Sequence, residues 1–304
     1  SGTYRERPGH FGIEGNNLAP KPGRFISPWL EVEADRFDLD RFNPDYMPRL
    51  YDILETASKH EVLVELVLFC FWYGDDHWES SPMHPDRNVQ GLGPRDRHRV
   101  YSVSGNDLLP VQERFVRMVV EAVNEYDNVY FEICNEPYSR HDGTAYLDWQ
   151  HYMVDVIADI ESRSTASHLI AVNYQNRAYV IPEIHPAVSI ANFHYALPQA
   201  VYANARLGRI IADDETGFRG QSAEPYRREA WRFFFAGGGM FSHLDYSFTC
   251  EHPDGSAPIV GKTPGYGGED LRRQLAFLRR FLEDNQVWTL RPANEVFAQV
   301  AGEL

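Results

Sequence analysis

Basic residues are scarce in this 304-residue sequence: 29 Lys and Arg stand against 44 Asp and Glu, a net charge of −15 at pH 7. A surface so acidic repels nucleic acid and anionic membranes, so neither is expected as a partner. Cysteine is scarcer still. Cys70, Cys134 and Cys250 are too few and too scattered for a disulfide framework or a zinc site. Two of them, Cys70 and Cys134, fall inside apolar strand-like runs, as buried thiols do. The longest apolar run, VLVELVLFCFWY, carries Glu65 and is too short to cross a bilayer. No Gly-rich phosphate loop follows the first strand, which argues against a dinucleotide-binding fold. No His-x-His pair closes any strand, which argues against a metal-dependent barrel hydrolase. Internal repeats and low-complexity linkers are absent as well.

What is present is ordinary for a folded α/β chain, with 43% hydrophobic and 24% charged residues. The length suffices for one large domain or two small ones, and residues 1–304 are expected to form a single domain. From about residue 43 onward, strand-like and helix-like segments alternate. Strands are predicted at 61–73, 128–135, 168–174, 188–195, 208–215 and 239–246. Helices are predicted from Asn43-Pro44 onward, and over 110–127, 144–163, 224–237 and 269–285. Apolar strands alternating with helices indicate a parallel sheet covered by helices. Six such strands fit an open doubly wound sheet or part of an eight-stranded (β/α) barrel. The missing phosphate loop favours the barrel.

Every predicted strand ends in polar or aromatic residues. The first runs into Trp72, Tyr73, Asp75, His77 and Trp78, the second into Asn135-Glu136-Pro137, and the third into Asn173, Tyr174, Gln175 and Asn176. The fourth ends in His194-Tyr195, the fifth in Asp213, Asp214, Glu215, Thr216 and Gly217, and the last carries His243, Asp245 and Tyr246. Active sites of parallel barrels lie at these C-terminal strand ends. Glu136 and Glu215 stand out, because paired carboxylates can cleave a glycosidic bond. One protonates the leaving oxygen while the other attacks the anomeric carbon or activates water. Asn135 can donate to a sugar 2-hydroxyl. His194, Tyr195, Trp72, Trp78, Asn173, Asp245 and Tyr246 are further candidate substrate contacts. In a strand His194 and Tyr195 face opposite sides, which favours His194 for the pocket. Asp213 and Asp214 are rival nucleophiles, and Glu132 reads as a buried partner for an arginine. The loop at 74–100, with Asp75, His77, Trp78, Glu79 and His84, is the longest candidate wall of a cleft. The bland alternatives are that the glutamates belong to structural ion pairs, that Asn135 caps a turn and that the aromatic rings fill the core.

CNEP after a strand, FHY later and then ETG at a strand end resemble the clan of retaining glycoside hydrolases with (β/α)₈ TIM barrels. The cellulase-like members, family 5 and its relatives, are nearest in pattern. The resemblance implies that Glu136, ending strand 4, is the acid/base and that Glu215, ending strand 7, is the nucleophile. FHY would lie on strand 6, with its His or Tyr touching nucleophile and substrate. It also implies hydrolysis of an oligosaccharide, polysaccharide or glycoside without metal or organic cofactor, and a secreted or periplasmic setting. A non-catalytic sugar-binding barrel is the alternative.

The clan pattern leaves strands 1 and 2 to be found before residue 61. Prolines at 8, 20, 22 and 28 and glycines at 2, 9, 12, 15 and 23 break any buried strand there. Residues 1–42 are therefore expected to be mostly loop across the C-terminal face, with Tyr4, Arg5 and Glu6 reaching the site, and the barrel to lack its first two strands in this chain. Residues 286–304 are read as the start of a truncated C-terminal region. No Trp stands after the last strand, where the clan often has one.

Overall fold

The computed structural model describes residues 26–138, 146–249, 251–258, 267–290 and 293. Six strands follow one another in a single sheet: β3 (Val64–Cys70), β4 (Val129–Asn135), β5 (Ile170–Asn176), β6 (Ile190–His194), β7 (Ile210–Glu215) and β8 (Met240–Phe241). Their hydrogen-bonded order is their chain order, and the pairs β3–β4, β4–β5 and β7–β8 run parallel. A strand order that never reverses is that of a (β/α) barrel and has no topological switch point. The strands predicted from sequence all exist, with ends shifted by a few residues. The exception is the last, which is two residues long, so His243, Asp245 and Tyr246 lie beyond it.

The described residues fall into two compact units. The first holds 26–174 and 183–190, the second 175–182 and 191 onward.

In the first unit, β1 (Trp29–Glu33) and β2 (Arg36–Phe42) form an antiparallel hairpin in a sheet of their own. Over 29–42 this corrects the expectation of loop, while residues 1–25 lie outside the described residues. All the prolines and glycines that prompted it precede Trp29. From there the chain alternates, burying Phe37 and Leu39 on one side of β2. Asp35 turns the hairpin with φ of 59°. The hairpin is tied to the 74–100 segment, since the Phe37 N–H donates to Arg87 O at 2.8 Å and the Val89 N–H to Phe37 O at 2.9 Å. Neither strand joins the six-stranded sheet. Tyr4, Arg5 and Glu6 lie outside the described residues.

Helix α1 (Tyr46–Lys59) starts later than Asn43-Pro44 predicts. Asn43 instead makes a side-chain turn, its Oδ1 accepting from the Asp45 N–H at 3.0 Å. Pro48 then sits in the first turn, where the missing N–H would have had no intrahelical partner. A short helix, α2 (Asp75–Glu79), interrupts the predicted 74–100 loop. α3 (Leu109–Val123) and α4 (Leu147–Glu161) cover the strands with apolar stripes. β4 is buried along its length except at Asn135, which explains its unbroken apolar sequence. Phe69, Phe115, Tyr101 and Trp149 fill the space between, with ring centroids 4.3–6.1 Å apart.

One polar residue organises that core. Gln112 on α3 is fully buried and accepts from Trp149 Nε1 at 3.0 Å while donating to Val100 O at 3.0 Å. Asn106 donates to the same carbonyl at 2.8 Å. Gln112→Leu keeps the volume but strands the Trp149 N–H in the core. It is expected to lower unfolding stability by about 2 kcal/mol, read from the urea midpoint at unchanged slope. A loss below about 0.5 kcal/mol would show that these hydrogen bonds contribute no net stability.

The second unit carries α5 (Pro198–Asn204), α6 (Ala223–Phe235) and α7 (Glu269–Asp284) beside β7 and β8. Ser222 caps α6, accepting from the Glu224 N–H at 3.3 Å. Of residues 286–304, a 3-10 turn at Val287–Thr289 is described, and most of the rest lies outside the described residues.

Candidate active site

In the first unit, β4 ends at Asn135, and Glu136 follows with φ of 47°. A left-handed conformation is uncommon for any non-glycine residue, and here Pro137 comes next. The turn is closed by the Tyr138 N–H donating to Glu136 O at 2.7 Å. The Phe71 N–H donates to Asn135 O at 2.9 Å and carries the β3–β4 ladder one step past β3. Asn135 is held from the side, its Nδ2 donating to Tyr73 Oη at 2.7 Å. Cys70 lies under both, its Sγ 3.8 Å from Asn135 Nδ2. Burial pushes the Cys70 thiol up, and the charge of Glu136 adds to that against opposing hydrogen bonds from Tyr73 and Asn135. Glu136 and Asn135 are both half-buried, so each can meet a ligand.

In the second unit, β6 and β7 bring four predicted residues together. Tyr195 Oη donates to Glu215 Oε1 at 2.5 Å. His194 faces carboxylates through both ring nitrogens, with Nδ1 3.6 Å from Glu215 Oε2 and Nε2 3.2 Å from Asp214 Oδ1. Asn192 Nδ2 donates to the other Asp214 oxygen. Strand alternation ends with β6. β6 ends at His194, and Tyr195 has φ of 51°, so both side chains reach Glu215. A backbone bond from the Tyr195 N–H to Glu215 O, 2.7 Å, locks that turn. Asp214, a rival nucleophile in the sequence, is instead occupied with His194 and Asn192.

The loop after β7 is pinned to α6. Thr216 Oγ1 donates to Glu229 Oε2, and Arg219 Nη2 lies 3.3 Å from Glu229 Oε1. Tyr226 accepts from the Arg219 N–H at 2.8 Å and donates to Gly220 O at 2.9 Å. Burial raises the Glu229 carboxyl, against the opposing effects of Thr216 and Arg219. No sequence motif marks Glu229, which reads as one more charge in a helix. Phe218, three residues past the end of β7, carries no sequence motif either.

Trp72 and Trp78 are 3% and 1% exposed and pack on each other at 5.4 Å, with Trp78 Nε1 donating to Pro94 O at 2.9 Å. Asn173 is fully buried on β5, its side-chain amide without a hydrogen-bond partner among the described residues. Asp245 is bound by Arg272 Nη1 at 2.9 Å and by the Ser247 hydroxyl and N–H at 2.5 and 3.0 Å. Burial acts to raise its carboxyl, but Ser247 and Arg272 outweigh it and leave it below the usual range. Tyr246 is half-buried, and burial together with the charge of Glu215 pushes its hydroxyl up to about 12. Glu132 is fully buried on β4, and His84 is buried against the Trp78 ring.

No protein-family model and no curated protein matches the chain. Solved structures do. The endo-1,4-β-D-mannanase of Thermotoga petrophila RKU-1, determined with maltose and glycerol, matches with a TM-score of 0.51 at 15% identity, over 74% of this chain and 73% of that one. Endoglycoceramidase II from Rhodococcus sp., in a cellobiose-like imidazole complex, matches with a TM-score of 0.51 at 14% identity, over 81% of this chain and 71% of that one. The fold is that of the cellulase-like glycoside hydrolases. At such identities the likeness concerns the fold.

Asp213, beside this group, gives a pH test. Its Oδ1 accepts from the Ala196 N–H at 3.0 Å, and burial, with Glu229 and Asp214 adding and the Ala196 hydrogen bond and His194 opposing, pushes its carboxyl up to about 8. An unfolded Asp ionises near about 3.9. The native state therefore holds a proton that the unfolded chain releases. The contribution is fully present below about pH 4 and is lost as pH rises toward 8. Asp213→Asn keeps the acceptor and cannot ionise. Its melting temperature relative to the parent is expected to climb steadily from pH 5 to pH 8. A difference independent of pH would mean that Asp213 titrates normally.

Proposed function

We propose that this chain is a retaining glycoside hydrolase that cleaves an O-glycosidic bond by double displacement. The observation that carries the reading is the fixation of Glu215 at the end of β7, with the Tyr195 hydroxyl on one carboxylate oxygen and His194 facing the other. A nucleophile must present an oxygen to the anomeric carbon in one orientation, and these two contacts supply that orientation. Glu136, in a left-handed turn behind a hydrogen-bonded Asn135, is the acid/base of the reading. Backbone strain of this kind, worth roughly 1–3 kcal/mol, is held mainly where function uses it. The cellulase-like fold supports the same assignment.

In the first step Glu136 protonates the glycosidic oxygen as Glu215 attacks the anomeric carbon. The leaving alcohol departs and a glycosyl ester on Glu215 remains. In the second step Glu136 takes a proton from water, whose oxygen attacks the same carbon and frees Glu215. The reading requires the two carboxyl groups to stand about 5–5.5 Å apart across the bond, the spacing of retaining enzymes. Asn135 donates to the sugar 2-hydroxyl, a contact that strengthens in the transition state. Carbohydrate is the expected ligand, with no metal or organic cofactor needed for either step.

A panel of aryl glycosides differing only in sugar and anomeric configuration identifies the substrate sugar. The matching 2-deoxy-2-fluoro glycoside should then add one glycosyl mass to the peptide that contains Glu215. Glu215→Gln should abolish turnover and retain sugar binding, and Glu136→Gln should slow turnover by roughly 10²–10⁴-fold. A parent protein that binds sugars but turns over no member of the panel would make this a sugar-binding barrel. Labelling of Asp213 or Asp214 instead of Glu215 would refute the nucleophile assignment.

A further inference from the structure

Phe218 lies three residues beyond Glu215, with 54% of its surface exposed and φ of 61°. The left-handed region suits glycine or asparagine, and a bulky aromatic residue there is a true outlier. Burial does not offset the strain, because half the ring remains in solvent. The surroundings impose it. On one side Thr216, fully buried, is bonded to Glu229. On the other, Arg219 and Gly220 are bonded to Tyr226 through the Arg219 N–H and the Gly220 carbonyl. The chain between these anchors holds the Phe218 ring beside the ring of Tyr195, centroids 6.0 Å apart and tilted by 59°. Tyr195 is the residue whose hydroxyl binds Glu215 at 2.5 Å.

We infer that Phe218 is a substrate-binding platform, against which the apolar C–H face of a pyranose ring packs next to the nucleophile. The inference rests on the glycosidase reading for its choice of ligand. An exposed aromatic face gives area and orientation to a sugar ring at low entropic cost, and the pinned loop fixes that orientation before binding. The anchors then have a purpose beyond the loop itself, because the strain they maintain keeps the ring at the site.

The test uses the full chain and the aryl glycoside that the parent hydrolyses best. Phe218→Gly relieves the backbone, so its melting temperature should equal or exceed that of the parent. Its KM should rise about tenfold, the equivalent of a 1.4 kcal/mol contact. Phe218→Tyr and Phe218→Trp should restore KM to within a few-fold of the parent. An unchanged KM in Phe218→Gly would overturn the inference and leave the glycosidase reading standing. So would a lowered melting temperature with KM intact, the mark of a merely structural residue. If the parent hydrolyses no glycoside, the glycosidase reading fails. The platform is then tested by binding to a glycan array. Binding lost in Phe218→Gly supports it, and binding retained, or absent from the parent, overturns it.

Discussion

The buried carboxylate of Glu229 is the contact on which the second unit depends. It sits in α6, 7% exposed, and takes Thr216 with one oxygen and Arg219 with the other. A buried acid left without those partners would carry a large desolvation cost, so the loop after β7 has one low-energy path past it. That path sets where β7 stops. It leaves Glu215 at the strand end, within reach of Tyr195 and His194, and it brings Phe218 to Tyr195. The geometry of the strand end is thus dictated from a helix that contributes no reactive group.

Three residues around these strand ends share one device. Glu136, Tyr195 and Phe218 all have left-handed backbones, at 47°, 51° and 61°. In each case hydrogen bonds on the neighbouring peptide groups hold the conformation: Tyr138 to Glu136, Tyr195 to Glu215, and Tyr226 to the loop at 219–220. A parallel strand sends alternate side chains to opposite faces, which limits how many can serve one site. A single left-handed residue at the strand end breaks the alternation. It lets His194 and Tyr195, adjacent in sequence, act on the same carboxylate.

The sheet was readable from sequence because parallel strands buried on both faces are written as apolar runs, and β4 is the clearest example. The order of the strand ends was readable for the same reason, since polar residues such as Asn135 and Glu215 interrupt those runs where they emerge. The hairpin at 29–42 was not, because the prolines and glycines crowded just before Trp29 mask the short alternation that follows. Trp72 and Trp78 show the ambiguity of aromatic residues near strand ends. The same composition suits a sugar platform or a core, and here they pack on each other. Asp245 reads as a ligand contact until Arg272, 27 residues away, is seen to bind it. The part played by Tyr195 depended on the sign of one dihedral angle, which no side-chain pattern encodes.

The thiols have a use of their own. Cys70 lies beneath Asn135 with its thiolate disfavoured by burial, and Cys134, fully buried on the next strand, is raised more strongly for the same reason. Thiols in this state are poor nucleophiles toward alkylating reagents while the protein is closed. Modification of the fully buried Cys134 therefore proceeds through opening of the surrounding structure, in the manner of amide exchange, whereas the half-buried Cys70 needs a smaller opening. The two sulfurs are natural clocks at different depths of β3 and β4, one timing local breathing beneath the Glu136 turn and the other the opening of the core behind it.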